Sequence, residues 1–386
     1  MPVLPLPYHR EVAALLEREN PASFAALAPT TRVLDDELDQ SLLRSTYRLE
    51  AAAHPRVEVA TSRATAVLEV TVPVEAYAAA GSEPNVELVF VPDRAVLVFT
   101  GGSLEVVDDD ELAAVVAHEL AHHQLWTTDG SRYLAAMRLL DAAESDARTP
   151  AEYLETARRF RLATEVYADR AALAVTGDPT AAVSGLLKLT TGLTAVDPGA
   201  YLRQAAEVDF TRPSAGATHP ETVLRAWALQ SWAAAPGDEA DAQILAAFGP
   251  DLDLATLDLP GQDRLRGLTR DLVQVAVTEP ALRSADVLEL AGQYGVEPAA
   301  PSAPASLPPL SGLPEETRRF LAAVLADLAT ADPDANRAAL VAVLVVARRC
   351  GLGPDLLHLL SAELELAERE RNRLGELVDA ATAEVA

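Results

Sequence analysis

His118, Glu119 and His122 stand as H-E-x-x-H inside the run DDDELAAVVAHELAHHQLW, residues 108–126. On a helix, residues four apart lie one above the other on the same face. His118 and His122 can therefore offer two imidazoles to one metal ion while Glu119 projects beside them. Zinc in a catalytic site takes three protein ligands and a water, and lowers the pKa of that water towards ~7. The chemistry to expect is hydrolysis by activated water, with Glu119 as the proton acceptor.

The run has to be a helix for this to work, and it carries its own signals. Asp108 is a good N-cap, and Glu111 follows three residues later as in a capping box. Leu112, Ala113, Val116, Ala117 and Leu120 fall on one side at helical spacing, and Gly130 is a plausible stop.

Two histidines leave one protein ligand to find, either a third histidine shortly downstream or a glutamate on a later helix. The metzincin pattern needs a glycine and a histidine where this chain has Leu125 and Thr128, and neither Met1 nor Met137 supplies its Met-turn. A glutamate is wanted, and EVYADR (165–170) supplies one. On a helix Glu165 and Asp169 share a face, so the first can bind zinc while the second accepts a hydrogen bond from the far nitrogen of a ligand histidine.

HELAH followed by E-x-x-A-D resembles the zinc peptidases of the HtpX and CAAX prenyl endopeptidase type, which are gluzincins. Three further stretches resemble the same proteins: GGSLEVVDDDELAAVVAHELAH on entry to the H-E-x-x-H helix, GDPTAAVSGLLKL after the E-x-x-A-D helix, and THP (218–220) with Arg225. The likeness covers about Leu43 to Trp232. It implies a mainly α (α+β) fold, a gluzincin-like helical domain with a small antiparallel sheet or hairpin before the H-E-x-x-H helix. It also implies His118, His122 and Glu165 as ligands of one Zn2+, Glu119 as general base and Asp169 behind a ligand histidine. His219 matches a histidine near the bound substrate. Arg225 is expected either to pair with Asp169 or another acid, or to bind substrate. The family's substrate-binding edge strand commonly begins N-A-F, where this chain has Asn85, Val86 and Glu87. Its members are often membrane proteins, and no membrane span is expected here.

Around the site the pattern predicts helix from Arg10 to Ala53 with breaks near Pro21 and Pro29, and again from Pro55 to about Leu68. β-like runs follow at 70–77, 86–91 and 95–100, the last two joined by a turn at Pro92–Arg94. Thr149 and Pro150 open a long helix to about Val175, and Asp178 with Pro179 repeats the signal. Residues 1–235 are expected to form the peptidase domain and 236–386 a helical C-terminal region. Within the latter, 263–298 and 316–354 look like a tandem repeat of helix, acidic-Pro turn and helix, joined by a Pro-rich linker at 297–314.

The 386 residues carry a formal net charge of -27, which argues against nucleic acid or anionic membrane as partner. The longest apolar run, 338–347, is about half of the ~20 residues a membrane helix needs. The N-terminus lacks a secretory pattern, and Cys350, the single cysteine, excludes an internal disulfide and makes a cysteine-ligated zinc site implausible. A cytoplasmic metalloendopeptidase acting on a peptide or protein is the expectation, with self-association or a protein partner left to the C-terminal helices. The alternative is a zinc-stabilised peptidase-like scaffold working through those helices; Glu119, which a scaffold does not need, favours the enzyme.

Overall fold

Proline in the first turn opens many of the helices, where its missing N–H costs nothing and its fixed φ suits the start. The computed structural model describes residues 3–27, 35–210, 222–297, 307, 309–332, 334 and 337–385. The chain divides into two units, Met1–Pro250 and Asp251–Ala386.

The first unit begins with α1 (Pro7–Glu19), α2 (Pro21–Leu27) and α3 (Asp35–Ser45). Helix is predicted on to Ala53, but the chain leaves α3 for a short strand, β1 (Thr46–Arg48). That strand exists through pairing with residues 77–79, a long-range contact that local pattern does not carry. Next comes α4 (Pro55–Leu68), which ends on Glu69 in the left-handed region.

Three strands follow: β2 (Val74–Ala79), β3 (Asn85–Val91) and β4 (Arg94–Thr100), in the spatial order β1-β2-β4-β3. The small sheet before the H-E-x-x-H helix is present, but it is mixed where an antiparallel one was expected. The chain reverses twice between β2 and β4, so the two run the same way. When β4 inserts between β2 and β3 it pairs parallel to the former (Val74↔Ala95) and antiparallel to the latter (Val91↔Arg94). β4 is central and buried from Ala95 to Phe99, whereas β3 is an edge strand.

Gly101 turns the chain out of β4 at φ 57°, where an added Cβ would lie 1.8 Å from the Glu83 carbonyl oxygen. A single turn, α5 (Ser103–Val106), leads to α6 (Asp109–Thr127). The capping box is formed: Glu111 N–H donates to Asp108 Oδ1 at 2.9 Å and Asp108 N–H to Glu111 Oε2 at 2.7 Å. Glu111 also receives Ser184 Oγ at 2.5 Å and Lys188 Nζ at 2.7 Å, which ties the start of α6 to a later helix. α6 packs against α4, against β3 and against the helices after it, so it is buried nearly all round.

Those helices are α7 (Arg132–Glu144), α8 (Ala151–Thr176), α9 (Pro179–Thr191), α10 (Pro198–Ala206), α11 (Thr222–Ala234) and α12 (Asp238–Ala246). Asp178 caps α9 through Thr180 N–H, as its sequence signal predicts. α12 belongs to this first unit: Asp241 reaches Arg170 of α8 at 2.5 Å, and the Arg170 guanidinium lies 3.9 Å from the ring centre of Trp232 in α11.

The second unit holds α13 (Leu259–Ala276), α14 (Ala285–Gln293), α15 (Glu315–Thr330), α16 (Arg337–Cys350), α17 (Gly353–Glu363) and α18 (Glu368–Val385). Leu272, Leu321, Leu325, Val346 and Leu356 are among the residues of its own core, and Cys350 is buried in the same cluster. Gly295 and Gly351, which the repeat places in register, both have positive φ. Much of the Pro-rich stretch, including Pro298, Pro301, Pro304 and Pro308, and Pro333 of the second acidic-Pro turn, lie outside the described residues. Among those described, no helix is long and apolar enough to cross a membrane.

Candidate metal centre

His118 and His122 stand one turn apart on α6, and Glu165 faces them from α8. The two Nε2 atoms are 3.2 Å apart; Glu165 Oε2 is 3.4 Å from the first and its Oε1 3.8 Å from the second. A tetrahedron with ligand bonds of ~2.0–2.1 Å has edges of about 3.3 Å, so these separations suit three corners of a zinc site. The three side chains are also a set whose ligand atoms all lie within 4.8 Å of one another.

The outer edge of each ring is fixed differently. His118 Nδ1 lies 3.1 Å from Asp169 Oδ1, one turn beyond Glu165 on α8. A carboxylate can only accept, so Nδ1 carries a hydrogen, and Nε2 is the nitrogen that a cation would take in place of a proton. His122 Nδ1 is buried with no hydrogen-bond partner among the described residues, and its ring is held by stacking on Trp126, 5.4 Å between centroids at 25°.

Arg225 reaches in from α11. Its guanidinium donates to both oxygens of Asp169, at 2.8 and 2.7 Å, and lies 2.9 Å from Glu165 Oε2. Arg225 thus forms an ion pair with Asp169, and Glu165 shares it. Burial works against both carboxylates, but Arg225 beside them holds their pKa values below the ordinary range. Burial also opposes a charged His118, yet its bonds to Asp169 and Glu165 and the charge of Glu165 push its pKa up to about 10. Burial, then the charge of His118, lowers His122 to about 4.

Glu119 sits beside this cluster. Its Oε2 accepts the Leu88 N–H of β3 at 2.9 Å. Burial raises its pKa to about 7; Glu165 adds to the rise, while His118 and the Leu88 bond oppose it.

The cleft over these side chains has a volume of about 350 Å³. Asn85, Val86 and Glu87 line it from β3, and Leu186, Leu189 and Thr190 from α9. The α9 residues carry no sequence signal beyond an apolar i, i+3 pair, which reads as ordinary packing. Lys188, in the middle of the same apolar helix, is the hint that α9 docks on a buried acid. His123 turns away and binds the Val91 carbonyl at 2.9 Å, bracing the β3–β4 turn. His219 lies outside the described residues.

Residues 54–233 match the family model described as Peptidase family M48. A curated relative, the plastoglobule-localized metallopeptidase 48, chloroplastic, of Arabidopsis thaliana, is 31% identical over 170 residues, which are 39% of this chain and 48% of that protein. The chain thus spans about half the length of the relative it matches. No solved structure matches it. The stretch that builds the cleft is thus similar to Peptidase family M48 and to a metallopeptidase relative.

Proposed function

We propose that the chain is a zinc-dependent metalloendopeptidase of the HtpX and CAAX prenyl endopeptidase type, with His118, His122 and Glu165 as the zinc ligands and Glu119 as general base. The observation that carries this reading is the convergence of two imidazole Nε2 atoms and one carboxylate at tetrahedral spacing, with Asp169 behind one ring and Glu119 alongside. Two imidazoles and a carboxylate are a donor set suited to zinc.

Bound zinc supplies a Lewis acid and makes water acidic enough to be a nucleophile near neutral pH. Glu119 would take a proton from the attacking water as the oxygen of that water bonds to the scissile carbonyl carbon. It then hands the proton to the amine nitrogen as the C–N bond breaks. Asp169 and Arg225 keep His118 and Glu165 aimed, so that no rearrangement is needed during the reaction. The Leu88 N–H points away from β4, and backbone groups alternate along an antiparallel strand. Val86 therefore turns its own N–H and C=O to the open edge, where an extended peptide can pair beside Asn85 and Glu87. The resemblance would further make His219, outside the described residues, a donor to the developing oxyanion.

Peptide chemistry is assigned to residues 1–235 and partner contacts or self-association to 236–386. A cytoplasmic location is part of the same reading, which the single, buried cysteine supports. The test is Glu119→Gln in the full chain: it should keep one zinc per chain and lose peptide cleavage. Wild-type cleavage by that variant would refute the assignment.

A further inference from the structure

Glu119 faces a problem of aim. Its carboxylate lies in a cleft with the Glu165 carboxylate, which repels it, and the His118 and Arg225 charges, which draw it toward the ligand side. A flexible side chain in such surroundings needs a fixed donor to hold one oxygen. The Leu88 N–H is that donor, 2.9 Å from Oε2. It lies on an edge strand whose other side is fully paired with β4 from Asn85 to Val91, so its position is set by the sheet.

We propose that the Leu88 backbone N–H is the positioning group for Glu119, holding Oε2 so that Oε1 is left to move the proton. The inference rests on the reading of Glu119 as general base. It gives the edge strand two tasks at neighbouring positions: Val86 offers its backbone to a peptide, and Leu88 withholds its N–H from the peptide and gives it to the enzyme's own carboxylate. A substrate strand therefore pairs with β3 up to Val86 and the Leu88 carbonyl, which places the bond to be cut beside Glu119.

Proline at an edge-strand position whose N–H points off the sheet removes that one donor without breaking the ladder. In zinc-loaded Leu88→Pro, assayed on a quenched-fluorescence peptide selected with wild-type protein, kcat should fall about a hundredfold, as for a misaimed group, with KM within about threefold. Leu88→Ala, which keeps the N–H, should restore most of kcat. Should the proline variant lose its zinc or fail to fold, the α-hydroxy analogue of leucine at position 88 replaces N–H by an ester oxygen and carries the same expectation. A readout independent of turnover is amide exchange. The Leu88 amide should exchange about tenfold faster in Glu119→Ala than in wild type, since it loses a bond to a charged acceptor, while the β4 amides stay unchanged. Raised KM with kcat kept would assign the N–H to substrate, and unchanged kcat or unchanged Leu88 exchange would equally overturn the proposal. Full cleavage by Glu119→Gln would instead sink the general-base reading and leave the exchange result standing.

Discussion

Asp169 Oδ1 lies 3.1 Å from His118 Nδ1, and this contact decides which edge of the imidazole is left for a cation. It also joins α6 to α8 at the point where Arg225 of α11 pairs with the same carboxylate. Three helices are thus held in register by one buried acid.

Replacing that acid should loosen the metal without removing a ligand. Asp169→Asn is expected to weaken zinc binding about tenfold to a hundredfold, measured by competition with a chelator of known affinity. Wild-type affinity would mean that His118 is oriented by something other than Asp169.

Arg225 has a different signature, because it balances two buried carboxylates. Arg225→Met should cost the zinc-free protein about 3 kcal/mol in urea unfolding, the penalty of leaving buried charges without a partner. The loss should shrink in saturating zinc, where the cation takes over part of the balancing. Equal losses with and without zinc would show that Arg225 is a packing residue.

His9 gives a pH effect that is separate from the site. Leu6 N–H donates to its Nδ1, so Nε2 carries the hydrogen and donates to Thr164 Oγ1, both at 3.2 Å. Burial, and then the charges of Arg170 and Arg10, lower its pKa to about 3. Below ~6.5 the unfolded chain takes up a proton that the folded one refuses. The contribution is therefore whole above that pH and fades as pH falls towards 3. Between pH 7 and 5 the wild type should lose about 2 kcal/mol more than His9→Gln, compared by denaturant unfolding at each pH. Parallel losses in the two proteins would exclude His9 as the cause.

Gly101 is required by space as well as by backbone angle. Gly101→Ala should destabilise the protein by more than ~2 kcal/mol, since its Cβ would displace the Glu83 carbonyl just before β3 begins. A change within ~0.5 kcal/mol would mean that the turn yields freely.

The parts of the site that lie on helices were legible in the sequence, because helical spacing alone puts His118 and His122 on one face and Glu165 and Asp169 on another. The capping box at Asp108 and Glu111 and the Asp178 cap were legible for the same reason: they are local. What local pattern could not carry depends on distant pairing. β1 forms only against β2, β4 inserts between two strands that precede it, and the Leu88 N–H meets Glu119 only because β3 lies along α6. Leu186 and Leu189 line the cleft through the docking of α9, which rests on the Lys188–Glu111 pair.

The most direct measurement is an anomalous difference map at the zinc edge from crystals of the zinc-loaded full chain. The zinc assignment predicts one strong peak within ~2.0–2.2 Å of His118 Nε2, His122 Nε2 and a Glu165 carboxylate oxygen. A peak held by other residues, or none at this cleft in a protein that still cleaves peptides, would contradict it.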